Sequence, residues 1–242
     1  MVTLSRVSAR LLIIPLAALL VVACEHNDLG TGTSGGGSGT VPPLGAASTY
    51  GILAGTAVTC VTGGTIFADV GVSPGAAITG FPPCTLTGTR HAADAAAAAA
   101  QVALTSAYNA LAAETCPPAN NFGTTDQGGT TKTPGVYCSG SSIGVTGAIT
   151  LNGQGNANAR FVFQAGSSLI TAGSVVLTNG TQAKNVWWLV GSSATLGTGS
   201  AWQGNIVALT SITLNDNATM LGRALARNGG ITLGTNNSIA LP

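Results

Sequence analysis

Four segments of the chain repeat one arrangement of apolar and polar positions: FVFQAGSSLIT (161–171), VWWLVGSSATL (186–196), NIVALTSITL (205–214) and RALARNGGITL (223–233). Each opens on a short apolar run, passes a corner of small residues and ends on an alternating apolar unit. Each is followed by a second strand-like piece: AGSVVL (172–177), GTGSAWQG (197–204), NDNATMLG (215–222) and GTNNSIAL (234–241). The last three units recur every 18–19 residues, and a longer insertion follows the first. Short β-branched runs between Gly, Asn and Ser corners, at a period near 20, predict a solenoid of stacked β-coils. No 3.6-residue apolar stripe persists in this region, which argues against helices there.

Side chains alternate between the two faces of a strand. Leu169, Ala194, Ile212 and Ile231 therefore point to one face, the interior, and Ile170, Thr195, Thr213 and Thr232 to the other. The related unit GAITL (147–151) adds Ile149 inward and Thr150 outward. Coils stacked in register place the outward residues in a column with a step of about 4.8 Å. A mostly threonine column on a flat sheet is thus expected from alternation alone, with Thr195, Thr213 and Thr232 in it and Thr150 as an extension. Neighbouring strands carry a second set of candidates: Ser174, Ser200, Thr219 and Ser238.

The segments YGILAGTAVT (50–59) and ADVGVSPGAAITGFPP (68–83) have the same coil character, being short apolar strands broken by Gly and Pro. Between the two blocks lies one helical stretch, expected over 89–114. Its alanine content gives strong intrinsic propensity. Ala93, Ala97, Ala100, Leu104, Ala107, Tyr108 and Leu111 form one narrow face at i, i+3 and i+4 spacing. Such a face suits close packing along a flat wall, so the helix is expected to cover one side of the solenoid and leave another free.

Residues 1–23 read as a lipoprotein signal peptide: Arg6 and Arg10 precede the run LLIIPLAALLVV, too short to span a bilayer, and VVAC (21–24) resembles a bacterial lipobox. In that pattern Cys24 carries the lipid, which is the chain's one route to a membrane. Glu25 rather than Asp at the next position points to the outer membrane or cell surface. Residues 24–43 form a Gly/Ser/Thr-rich tether, and 44–242 the folded domain. Cleavage before Cys24 removes Arg6 and Arg10 from the eight basic residues, leaving six against seven acidic, a formal charge of −1.

Four further cysteines, Cys60, Cys84, Cys116 and Cys138, allow three pairings, and export favours disulfides. A helix of about 25 residues spans almost 40 Å, which separates Cys84 from Cys116 at its two ends. The favoured pairs are Cys60–Cys84 and Cys116–Cys138. Zinc is disfavoured, since the four lack a CxxC spacing and a nearby His.

The segments YGILAGTAVT, ADVGVSPGAAITGFPP, TPGVY (133–137), ITLNGQGNANARFVFQAGSSL (149–169) and VWWLVGSSATLGTGSAWQGNIVALTSITLNDNATMLGRALARNGGITL (186–233) together resemble the microbial ice-binding proteins, with a discontinuous β-solenoid and a long flanking helix. The resemblance runs from Leu44 to Leu241, in order. It implies a right-handed β-helix of triangular cross-section, a helix along one face, ice adsorption on another flat face, and coils whose spatial order need not follow the chain. Some members carry a T-A/G-x-T/N pattern on the ice face. Thr56-Ala57-Val58-Thr59 and Thr62-Gly63-Gly64-Thr65 match it, and Thr171-Ala172-Gly173-Ser174 matches in part.

Composition limits the alternatives. Only 6% of residues are charged, and no basic stripe with interleaved aromatics suggests nucleic acid. Asp69, Asp94, Glu114, Asp126 and Asp216 are scattered, and His91 has no evident nucleophile, so no catalytic residues are proposed and no cofactor or metal is expected. The expected function is ice binding by a monomer, giving thermal hysteresis and inhibition of ice recrystallisation. The rival is a surface-anchored adhesion or glycan-binding module that uses the same uncharged face, with Trp187, Trp188 or Trp202 stacking on sugar rings.

Overall fold

The computed structural model describes residues 42–123 and 126–242. The signal peptide, Cys24 and the tether as far as residue 41 lie outside the described residues. From Leu44 onward the chain forms three-sided coils of short parallel strands. On the first side run Gly135–Ser139, Phe161–Ala165 and Val186–Val190, then the second halves of Ala201–Ala208 and Thr219–Ala226, then Tyr50–Ala54, Asp69–Val72 and Arg90–Ala92. The second side is a seven-stranded sheet in the order Ile143–Val145, Leu169–Thr171, Ala194–Leu196, Ile212–Leu214, Ile231–Thr235, Ala57–Thr62, Ala77–Thr79. The third side holds Thr131–Lys132, Ile149–Asn152 and Val175–Thr178, then the first halves of the two long strands, then Ser238–Ala240, Thr65–Phe67 and Thr85–Leu86.

The two eight-residue strands turn the corner from third side to first without a break. Gly204 and Gly222 are paired at that corner. A Cβ on Gly222 would stand 1.9 Å from the Gly204 carbonyl oxygen, so only glycine lets the coils stack there.

Coil order departs from chain order. The first coil, with Ile52, Thr59 and Thr65, stacks on the last, pairing Ile52 with Ala224, Thr59 with Thr232 and Thr65 with Ser238. The helix connects the two blocks. It runs Ala95–Ala112, shorter than the sequence suggests, because Arg90–Ala92 adds a strand beside Val70–Val72 and Asp94 then caps the helix, accepting from the Ala97 N–H at 2.8 Å. Ala97, Ala100, Leu104, Ala107 and Leu111 are its buried face. They cover Leu53, Val162, Trp187, Leu189, Val207 and Leu225 on the outside of the first side. Gln164 donates to the carbonyls of Leu111 and Glu114 at 2.8 and 2.9 Å, and Arg160 grips the Glu114 carboxylate with both terminal nitrogens.

Inside the coils an aromatic stack runs Tyr137–Phe163–Trp188, with ring centroids 5.3 and 4.0 Å apart and planes within 16°. Trp202 tilts against Trp188 at 4.7 Å. Both expected disulfides are present, Cys60–Cys84 and Cys116–Cys138, with Cα atoms 6.3 and 6.0 Å apart.

Candidate functional site

The seven-stranded sheet is the side that faces away from both the helix and the third sheet. Its inner positions are apolar: Ile143, Leu169, Ala194, Ile212, Ile231 and Val58 are buried in one row. Alternation then turns the next residue of each strand outward. Register aligns Thr79, Thr59, Thr232, Thr213 and Thr195 in one unbroken column, each directly beside the next. Ile170 and then Gly144 continue it. At its far end the Thr79 hydroxyl lies 3.4 Å from that of Thr59. The column is flanked by small residues, among them Ala77, Ala57, Gly230, Ser211 and Ser193 on one side. None of the seven strands contains an Asp, Glu, Lys or Arg.

Strand-bound β-branched side chains have one dominant rotamer, so this array is fixed before anything meets it. Two carboxylates lie at the margins of the array. Asp216 accepts the Thr235 N–H at 2.7 Å, and Asp126 accepts the Thr146 N–H at 3.0 Å as well as the Thr146 hydroxyl. The Thr146 hydroxyl, with the N–H of Gly128, holds the Asp126 carboxyl below the usual carboxylate range.

Thr195, Thr213 and Thr232 thus point outward, in one column, as alternation predicts. The other expected positions fall elsewhere. Thr150 sits on the third side, between Thr131 and Val176. Its phase is outward, but phase does not say which sheet a strand joins. Thr171 is buried, with its side chain in the inward row beside Val145 and Leu196, because two steps from Leu169 return to the same face. Ser200 is buried at the corner before Ala201. Ser174 is half-buried at another corner, where its Oγ accepts the Ala201 N–H at 3.1 Å. Thr219 is exposed on the third side, aligned with Ala201 and Ser238. Thr59 belongs to a TAVT motif read in the sequence, whereas its place beside Thr232, and that of Thr79, comes from pairing of distant segments. All three tryptophans are buried, at 1% exposure each, and offer no ring to a sugar. Among the described residues no group of three His, Cys, Asp or Glu side chains could hold a metal ion.

A long parallel solenoid with one covered side and one flat, uncharged, threonine-bearing side defines a surface-binding protein rather than one with a cleft. The chain belongs to the ice-binding-like family, which matches residues 52–239. It is 48% identical over 200 residues to an ice-binding protein from Nostoc sp., covering 81% of this chain and 73% of that one. The crystal structure of an ice binding protein from an Antarctic biological consortium superposes with a TM-score of 0.80 at 41% identity, covering 84% of this chain and 92% of that one. An ice-binding protein from the Antarctic ascomycete Antarctomyces psychrotrophicus gives 0.79 at 37% identity, over 84% of this chain and 99% of that one.

Proposed function

We propose that this protein adsorbs to ice through the seven-stranded sheet, and that Thr79, Thr59, Thr232, Thr213 and Thr195 are the centre of the contact. The observation that carries the reading is that unbroken threonine column on an uncharged sheet which the helix leaves open. Ice offers no charge to pair with, only a periodic array of water. Threonine methyls and hydroxyls at a regular step can hold water in a matching arrangement. Docking then costs little side-chain entropy, because the rotamers are already set. Charged side chains would keep competing hydration shells, and their absence from all seven strands of this sheet supports the same conclusion. Adsorption of this kind gives thermal hysteresis and slows recrystallisation without a chemical step, which is why we read the protein as a binder and not an enzyme. The glycan-binding alternative loses its stacking rings to the core and is not favoured.

The test is thermal hysteresis and recrystallisation inhibition of the purified protein and of Thr213→Tyr. A bulky ring at the centre of the column breaks its flatness, so hysteresis should fall severalfold with the melting temperature unchanged. Full hysteresis in the variant would move the ice contact to another side, and unfolding would contradict the outward position of Thr213.

We also infer a lipoprotein held at the outer membrane or cell surface, on the grounds of VVAC at 21–24, Glu25 after it and the Gly/Ser-rich tether that follows. Cys24→Ala should shift the protein from the membrane fraction to the soluble exported fraction; unchanged fractionation would rule the anchor out.

A further inference from the structure

We propose that Ile170 is a contact residue of the ice-adsorbing side, extending the threonine array by one coil and marking where it stops. The inference rests on the reading of that side given above. Ile170 is paired between Thr195 and Gly144, so it occupies the position a sixth threonine would take. It is one of the large apolar side chains left open to water, at 58% exposure. A single exposed isoleucine is ordinary on a protein surface. This one differs because its surroundings repeat those of the threonine coils. Ser168 and Ala172 stand on either side of it where Ser193 and Gly197 stand beside Thr195, so the flat, small-residue frame continues unchanged through Leu169–Thr171.

Chemically the exchange is narrow. Isoleucine keeps the branched Cβ, the stiff first torsion and a γ-methyl, and replaces only the hydroxyl with an ethyl group. At that position of the column the side chain presents carbon alone, and what it offers ice is a methyl that orders water around itself rather than a donor or acceptor. One coil further the array ends. Gly144 supplies no side chain, and a Cβ placed there would lie 3.7 Å from Oδ1 of Asp126, a carboxylate. The row therefore reads as five threonines, one isoleucine, a gap and a charge.

The experiment compares Ile170→Thr, Ile170→Tyr and Ile170→Lys with Thr213→Tyr in the purified full chain, reading thermal hysteresis beside melting temperature by circular dichroism. Ile170→Thr keeps the branch and the methyl and should retain close to the original hysteresis. Ile170→Tyr adds bulk and Ile170→Lys adds a hydrated charge. Both should lower hysteresis severalfold at an unchanged melting temperature. Full hysteresis in both while Thr213→Tyr loses it overturns the role of Ile170 and leaves the threonine column standing. A loss in both that follows a lowered melting temperature also overturns it, since Ile170 would then be a structural residue. Full hysteresis in Thr213→Tyr as well would sink the underlying reading of the side.

Discussion

Thr171 and Thr213 belong to the same sheet and the same kind of unit, yet one is sealed inside and the other faces water. The difference is one step of phase, since LIT places threonine two residues after an inward leucine and ITL one residue after an inward isoleucine. Thr171 stands in a row with Val145 and Leu196, and its hydroxyl has no hydrogen-bond partner. A buried hydroxyl without a partner carries a desolvation penalty that a methyl of the same shape avoids. Thr171→Val should therefore stabilise the protein by about 1 kcal/mol and leave thermal hysteresis as it was. Thermal melting with a hysteresis measurement checks both halves, and a fall in hysteresis would place Thr171 at the ice surface after all. The outward threonines were legible because alternation is local. Thr150 joins a different sheet from the column because alternation fixes the face of a strand but not the sheet it joins. Nothing local links Thr59 to Thr232, which stand side by side only because the first coil stacks on the last.

The elements show the same division between local and distant signals. The alanine face of the helix was readable, but its start was not, because TRHAA (89–93) carries residues that suit a strand end as well as a first turn. Between coils, three carboxylates act as staples. Asp69, Asp126 and Asp216 each accept a backbone N–H one coil along, from Thr89, Thr146 and Thr235, at 2.9, 3.0 and 2.7 Å. For Asp126 the Thr146 hydroxyl, with the Gly128 N–H, lowers the carboxyl's pKa, and at the helix start the Ala97 N–H, helped by His91, does the same for Asp94. A carboxyl with a depressed folded pKa contributes stability above its unfolded value, and that contribution disappears as pH falls through the folded one. The melting temperature should be flat from neutral pH to about pH 5 and decline below about pH 4, where unfolded aspartates begin to take up protons. A melting temperature that instead rises on acidification would show that these bonds do not set the response.

Across the whole domain, both ends of the coil stack are closed in the same way. At one end Phe81 is buried under the Arg90 guanidinium, 5.6 Å from the ring centre, beside Cys60–Cys84. At the other, Lys132 lies 5.4 Å from the centre of Phe122, on the coil that Cys116–Cys138 ties to the helix terminus. Sheet edges left open invite pairing with other chains, and such plugs blunt them. Helix length argued in the sequence against a Cys84–Cys116 link, whereas the aromatic plugs were not legible, because a lone Phe in a loop gives no sign of lying across an open end.

The stacking of first coil on last has a consequence for how the protein is made. Most repeat arrays can grow one unit at a time, each supported by its predecessor. Here the strands of Tyr50–Ala54 and Ala57–Thr62 leave the ribosome early, and their partners on one side, Thr219–Ala226 and Ile231–Thr235, leave it last. The seam between them lies in the middle of the threonine column, between Thr59 and Thr232. The surface is therefore continuous only once synthesis is nearly complete, and a chain cut short between residues 213 and 231 has two partial arrays and no finished one.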